Sequence, residues 1–185
     1  SLVADGASAR SIAGVVSSEI CAITSRAADL AIAELAQAGK GGPPCPYAVL
    51  VLGSAGRGES LIAADQDNAI VYASGERGGP ADLWFEQMAT RMNGILDEAG
   101  IVLCRGGVMA KNAEWRHSRQ GWEELITSWV RRQKPQDLLN VDIFFDAATV
   151  HGERGLGDAL VDSAQRLARR SPDFLMMLTE LARHW

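Results

Sequence analysis

The run YAVLVL, Tyr47 to Leu52, breaks off at Gly53-Ser54, and the chain returns a little later as DNAIVY, Asp67 to Tyr72. A short, continuous apolar run bounded by breakers is the pattern of a strand buried on both faces. Two such strands so close in sequence need cover above and below, and the helical patterns that alternate with strands along the chain point to an α/β core with helices as that cover. The constraint is therefore an α/β (α+β) fold with a small mixed sheet flanked by helices.

Helical periods supply the cover. Ile12, Val15, Val16, Ile20, Ile23, Ala27, Leu30, Ala31 and Leu35 recur at three- and four-residue steps, so residues 11–38 read as one long helix, stopped by GKGGPP from Gly39 to Pro44. Gly53 to Ala63 is expected to turn and form a short helix, and Gly75 to Pro80 a loop. Asp82 is expected to cap a helix that buries Trp84, Phe85, Met88, Met92, Ile95 and Leu96. Ile101 to Cys104 reads as a third strand, followed by the irregular RGGVMAKNAEW. Trp122, Leu125, Ile126, Trp129 and Val130 mark an amphipathic helix stopped near Pro135, and Leu138 to Phe145 reads as a fourth strand. Two helical patterns close the chain, 155–169 and 173–184, the second started by Ser171-Pro172. Organisation follows these breaks: an N-terminal helical segment 1–44, a core 45–152 and a C-terminal helical segment 153–185 that begins a further helical unit. The stripes of the outer helices fit packing on the sheet or against a second copy equally. Ser1 in place of methionine, and an end at Trp185 just after a helical pattern, lead us to expect a piece of something longer.

Composition excludes several classes. A chain of 185 residues that is 47% hydrophobic supports one good core. A formal net charge of −5 argues against a general nucleic-acid binder, although it leaves room for a local basic pocket. No apolar run approaches the roughly 20 residues of a membrane span, and no signal-peptide pattern opens the sequence. Cys21, Cys45 and Cys104 are odd in number and widely spaced, which fits neither a disulfide framework nor a zinc site and points to a reducing cytoplasm. His117, His151 and His184 share no metal-ligand spacing.

The chemistry lies in GSAGRGESLIAADQDNAIV, Gly53 to Val71. A strand that delivers Gly-Ser to the start of a helix offers bare backbone N–H groups and a hydroxyl to an anion. Gly53 allows close backbone approach, and Ser54 adds an oxygen that can also cap the helix. Asp65 and Asp67 stand two apart, so on a strand they project from one face with Cα atoms roughly 6–7 Å apart. Carboxylates placed so repel each other unless a cation lies between them, and hard oxygen donors suit Mg²⁺, with phosphate oxygens completing its shell. A phosphate cradle beside a metal clamp is what phosphoryl or nucleotidyl transfer requires.

The pattern apolar-Gly-Ser, then Asp-X-Asp running into an apolar strand, resembles the DNA-polymerase-β-like nucleotidyltransferase superfamily. GSAGRGE with DQDNA, GGVMAKNAEWR from Gly106, the helix of Trp122 and Trp129, and LLNVDIFFDAATVHG from Leu138 to Gly152 are similar to one branch of it. That branch is found in bacterial signalling proteins beside CBS and cyclic-nucleotide-binding domains, and is similar to the N-terminal domain of the uridylyltransferase of the PII protein. The resemblance implies Mg²⁺ or Mn²⁺, a nucleoside triphosphate as substrate and an acceptor hydroxyl on a protein. Two departures stand out: Gln66 occupies the place between the aspartates that is usually apolar in the superfamily, as it does in the branch, and Ala148 replaces an arginine that the branch commonly carries two residues after Asp146.

A two-metal enzyme needs a third carboxylate, and the candidates are Asp142 and Asp146. On one strand they would lie roughly 13 Å apart, so both cannot serve one metal pair. Asp142, between Val141 and Ile143, has the apolar-Asp-apolar setting that the superfamily uses for its third acid, which tips the reading to it, while Asp146 lies in the FFD segment most similar to the branch. Arg57 and Glu59 either neutralise and orient the triphosphate or form a structural ion pair in the turn. Lys111 and Asn112 are candidates for the nucleotide pocket, with a solvated surface charge the stronger reading for Lys111. Trp84, Trp122 and Trp129 lie on helical periods and read as packing residues, with Trp115 nearer the pocket.

Overall fold

The two apolar runs pair with each other. In the structure, a computed structural model that describes residues 8–60 and 65–182, β1 (Tyr47–Val51) and β2 (Asn68–Tyr72) are antiparallel, with Tyr47 opposite Tyr72 and Val51 opposite Asn68. β3 (Arg116–Ser118) lies parallel to β2, and β4 (Ala148–Gly152) lies antiparallel to β1, giving the order β3-β2-β1-β4. The helices are α1 (Ala9–Gln37), α2 (Gly53–Gly56), α3 (Pro80–Glu98), α4 (Arg119–Arg132), α5 (Pro135–Phe145), α6 (Arg154–Arg169) and α7 (Pro172–Ala182).

Neighbouring strand residues face opposite ways, so β1 and β2 need two cores. Tyr47, Val49, Ile70 and Tyr72 meet α1 and α3 through Ala27, Ala31, Phe85, Met88 and Met92. Ala48, Leu50, Ala69 and Val71 meet α4 to α7 through Trp122, Trp129, Val141, Phe144, Leu160 and Phe174. The Trp122 indole N–H donates to the Ile70 carbonyl at 2.9 Å, so its polar atom is satisfied inside the second core. Trp84, Trp115, Trp122 and Trp129 are all buried packing residues. No described helix is long and apolar enough to cross a membrane.

Four local expectations are corrected. Leu138 to Phe145 is not a strand but most of α5: Pro135 starts a new helix rather than merely ending the previous one, and the Asp137 carboxylate accepts the Lys134 N–H at 3.3 Å. Asp142 and Asp146 consequently stand one helical turn apart, not at opposite ends of a strand face. Ile101 to Cys104 makes only a single parallel bridge, Leu103 with Gln66, and the third strand is instead the polar Arg116–Ser118. Gly79 caps α3, with Pro80 in its first turn, while Asp82 accepts the Gly78 N–H at 2.8 Å from inside the helix. The helix after Gly53 is the single turn α2, capped by Leu52 and not by Ser54; residues 61–64 of the expected segment lie outside the described residues.

Arg116 is buried in β3 because Asp82 pairs with it at 2.8 Å and the carbonyls of Ala110 and Lys111 accept its other guanidinium hydrogens at 2.9 and 3.0 Å. This pair fastens the segment before β3, which forms one wall of the site described next.

Candidate active site

β1 ends at the tight turn and β2 begins beside it, so the two halves of the motif meet at one end of the sheet. Gly53 adopts φ +59°, and a Cβ there would sit 3.3 Å from an Asp67 carboxylate oxygen; the position requires glycine for conformation and for closeness alike. The Asp67 carbonyl accepts the Leu52 N–H at 2.9 Å, which locks the aspartate segment to the turn. Ser54 is exposed in the first turn of α2, where backbone N–H groups have no acceptor within the helix.

Residues 65–67 are extended, with Gln66 turned into the protein and both aspartates turned out of it. Carboxylate oxygens of Asp65 and Asp67 and the Cys104 sulfur all lie within 4.8 Å of one another. Asp65 is exposed and Asp67 half-buried. Burial pushes the Asp67 carboxyl up to about 6, a hydrogen bond from the Cys104 thiol opposes this, and the nearby Asp65 charge adds to it. Burial also raises the Cys104 thiol to about 11, aided by Asp67. Without a cation, Cys104 is thus a neutral hydrogen-bond donor to Asp67 at neutral pH. Among the described residues no Lys, Arg or His pairs with either aspartate.

Asp67 and Cys104 border a groove of about 570 Å³. One wall is Gly106, Gly107, Val108 and Asn112; the other comes from α5, through Gln136, Leu139, Asn140 and Ile143. Asn112 is fixed by donating to the Gly107 carbonyl at 2.7 Å. Lys111 lies outside the lining, its N–H and carbonyl both engaged with the interior. A recess of equal volume, lined by Tyr72, Arg77, His117 and Gln120, lies at the other end of β2 and contains neither aspartate. The chemistry marks the first, not the second.

The remaining candidates form a separate group. Arg57 bonds to Glu59 at 3.2 Å and to the Asp146 carboxylate. Burial pulls the Arg57 guanidinium down, but its two acidic partners hold it above the ordinary range. Burial raises Asp146 and outweighs the Arg57 ion pair, with Asp142 and Glu59 contributing in the same direction. Asp146 ends α5 against the turn: a Cβ on Gly56 would meet its carbonyl oxygen at 1.8 Å, so only glycine permits that packing. Asp142 is exposed on α5. The structure therefore brings Asp65 and Asp67 together with Gly53 and Ser54, and gathers Arg57, Glu59, Asp146 and Asp142 alongside. Cys104, not a third carboxylate, completes the inner cluster among the described residues.

The donor set fits a divalent ion. Two converging carboxylates with no basic partner among the described residues are hard ligands whose charge a cation would offset, and phosphate oxygens would fill the rest of its shell. Cys104 escaped the sequence reading because an isolated thiol at the end of an apolar run carries no spacing signal.

The class defined by the fold is an α/β domain whose layered sheet brings a glycine-serine turn and an acid pair to one groove. The family model described as "Putative nucleotidyltransferase DUF294" matches residues 1–136, and the chain belongs to that family. None of the curated proteins matches it at a significant level. The match takes in the turn, the acid pair, Cys104 and the loop to Trp115, and stops short of Asp142 and Asp146.

Proposed function

We propose that the chain is a Mg²⁺- or Mn²⁺-dependent nucleotidyltransferase domain that moves a nucleoside monophosphate from a nucleoside triphosphate onto an acceptor hydroxyl: the α–β phosphoanhydride bond breaks, pyrophosphate leaves and the hydroxyl gives up its proton. The observation that carries this reading is the convergence of Asp65 and Asp67, without a basic partner among the described residues, beside the Gly53-Ser54 turn. Asp65 and Asp67 would hold the ion, which would offset charge on the triphosphate and make the acceptor hydroxyl more acidic. The protein's own part is positional: Gly53 and Ser54 receive phosphate oxygens, while Asn112 and the glycines before it border the nucleotide. Arg57 and Glu59 stand next to that turn, and Asp146, packed on Gly56, is better situated than the exposed Asp142 to act as third acid once Arg57 turns to substrate. The core is residues 45–152, with 1–44 and 153–185 as its supports.

The resemblance to the PII-uridylyltransferase branch supports a protein acceptor, such as a tyrosine hydroxyl, in a cytoplasmic bacterial signalling protein, with a second copy of the chain as a further partner. The net charge of −5 disfavours a nucleic-acid acceptor. A second reading, a regulatory module that binds nucleotide without turning it over, is favoured by Ala148 in place of the branch arginine and by the engagement of Asp146 with Arg57. Incubation with each triphosphate labelled at the α-phosphate, Mg²⁺ and candidate acceptor proteins separates the two. Label transfer that Asp65→Asn abolishes establishes the enzyme; calorimetric nucleotide binding without transfer establishes the module; no heat with any triphosphate contradicts both.

A further inference from the structure

Behind the acid pair lies a buried set of amides that the proposed chemistry does not use. Gln66, Asn68 and Asn93 are at most 2% exposed. The Gln66 amide nitrogen donates to the carbonyls of Asn93 (3.0 Å) and Ile101 (2.7 Å), and its oxygen accepts from the Asn93 side chain at 2.8 Å. The Asn93 nitrogen also donates to the Asn68 side-chain oxygen at 3.0 Å, which in turn accepts the Ala110 N–H at 2.9 Å. The Asn93 oxygen accepts the Lys111 N–H at 3.2 Å. Because the Gln66 nitrogen faces two carbonyls, the donors and acceptors have only this one consistent arrangement.

We infer that Asn93, through Gln66 and Asn68, is a positioning residue that sets the acid pair and the groove wall in register. Strand alternation explains how. With Gln66 and Asn68 held inward on α3, Asp65 and Asp67 have to face the groove. The same Asn93 holds Lys111 directly and Ala110 through Asn68, and so fixes the segment from Gly106 to Asn112 opposite the aspartates. An apolar residue at position 66 could face inward too, but it would leave Asn93 without the Gln66 amide that fixes its orientation. This gives the amide at position 66 a physical reason. The inference rests on the reading of Asp65 and Asp67 as a cation site, where the groups behind the ligands set their geometry.

Calorimetric titration of Mn²⁺ into the full chain tests it, with thermal melts confirming folding. Asn93→Leu and Gln66→Met are expected to bind about 10–100-fold more weakly than wild type. Leu167→Ala, which loosens the second core away from the site, is expected to bind as wild type. The double variant loses little more than either single one, because the amides act as a unit. Wild-type affinity in a folded Asn93→Leu or Gln66→Met overturns the inference alone; a wild type that takes up no Mn²⁺ overturns the cation site and the inference with it. Hydrogen exchange on the unmodified chain gives a check that needs no substitution: Mg²⁺ should slow exchange of the Ala110 and Lys111 amides, and unchanged rates would contradict the coupling.

Discussion

Asp82 and Asp67 are two acids of one small domain with opposite surroundings. Asp82 is 4% exposed and fully answered, by Arg116 at 2.8 Å and by the Gly78 N–H. Asp67 is half-buried and, among the described residues, answered by a neutral thiol with a second carboxylate beside it. Burying charge is costly unless it is paired. Where the cost is met within the chain, the acid is structural. Where it is left standing, we propose that the fold holds charge for a ligand.

Substitution should separate the two aspartates by sign. Arg116→Met leaves Asp82 buried without its partner and should cost about 3–5 kcal/mol, read by denaturant unfolding. If the variant is as stable as wild type, the contrast fails at its structural end. Cation binding is the next largest effect. Mg²⁺ at about 100 times its Kd should stabilise wild type by about 2.7 kcal/mol in thermal melts and leave Asp65→Asn/Asp67→Asn unmoved.

Asp67→Asn alone, without metal at neutral pH, should raise Tm by about 2–4 °C, the shift that 1 kcal/mol makes in a chain of this size. The pH dependence sharpens that expectation. A carboxyl raised to about 6 in the folded state binds its proton more tightly there than in the unfolded chain. Its contribution is therefore most favourable below about pH 4, the ordinary carboxylate range, and is lost as pH rises through about 6. His117, lowered chiefly by burial, contributes the opposite way, losing stability as pH falls. The difference in Tm between Asp67→Asn and wild type cancels His117 and should grow from near zero at pH 4 to a plateau above pH 7. The smallest effect belongs to the partly exposed pair: Arg57→Ala should change stability by no more than about 1 kcal/mol while weakening triphosphate binding measured by calorimetry.

What could be read from the sequence divides along physical lines. β1, β2 and the helices of Phe85 and Trp122 were legible because their apolar periods are local. LLNVDIFF misled because it is apolar at nearly every position, so neither a period of two nor one of 3.6 stands out, and the helix signals were Pro135 and Asp137 just before it. β3 was invisible because Arg116 is buried only by virtue of Asp82, far away in the chain. In the site, the turn and the paired aspartates announced themselves by spacing. Asn93 left one faint trace, an amide among Phe85, Met88, Met92 and Leu96 on the buried side of α3. Its partners at 66 and 68 are set by tertiary contact, which no local pattern encodes.

Whether the charge at 65 and 67 is there for a cation can be asked of the purified protein by titrating it with Mn²⁺ above pH 7. Saturable uptake that disappears in Asp65→Asn/Asp67→Asn is the predicted result. No uptake by wild type, or equal uptake by the double variant, would contradict it.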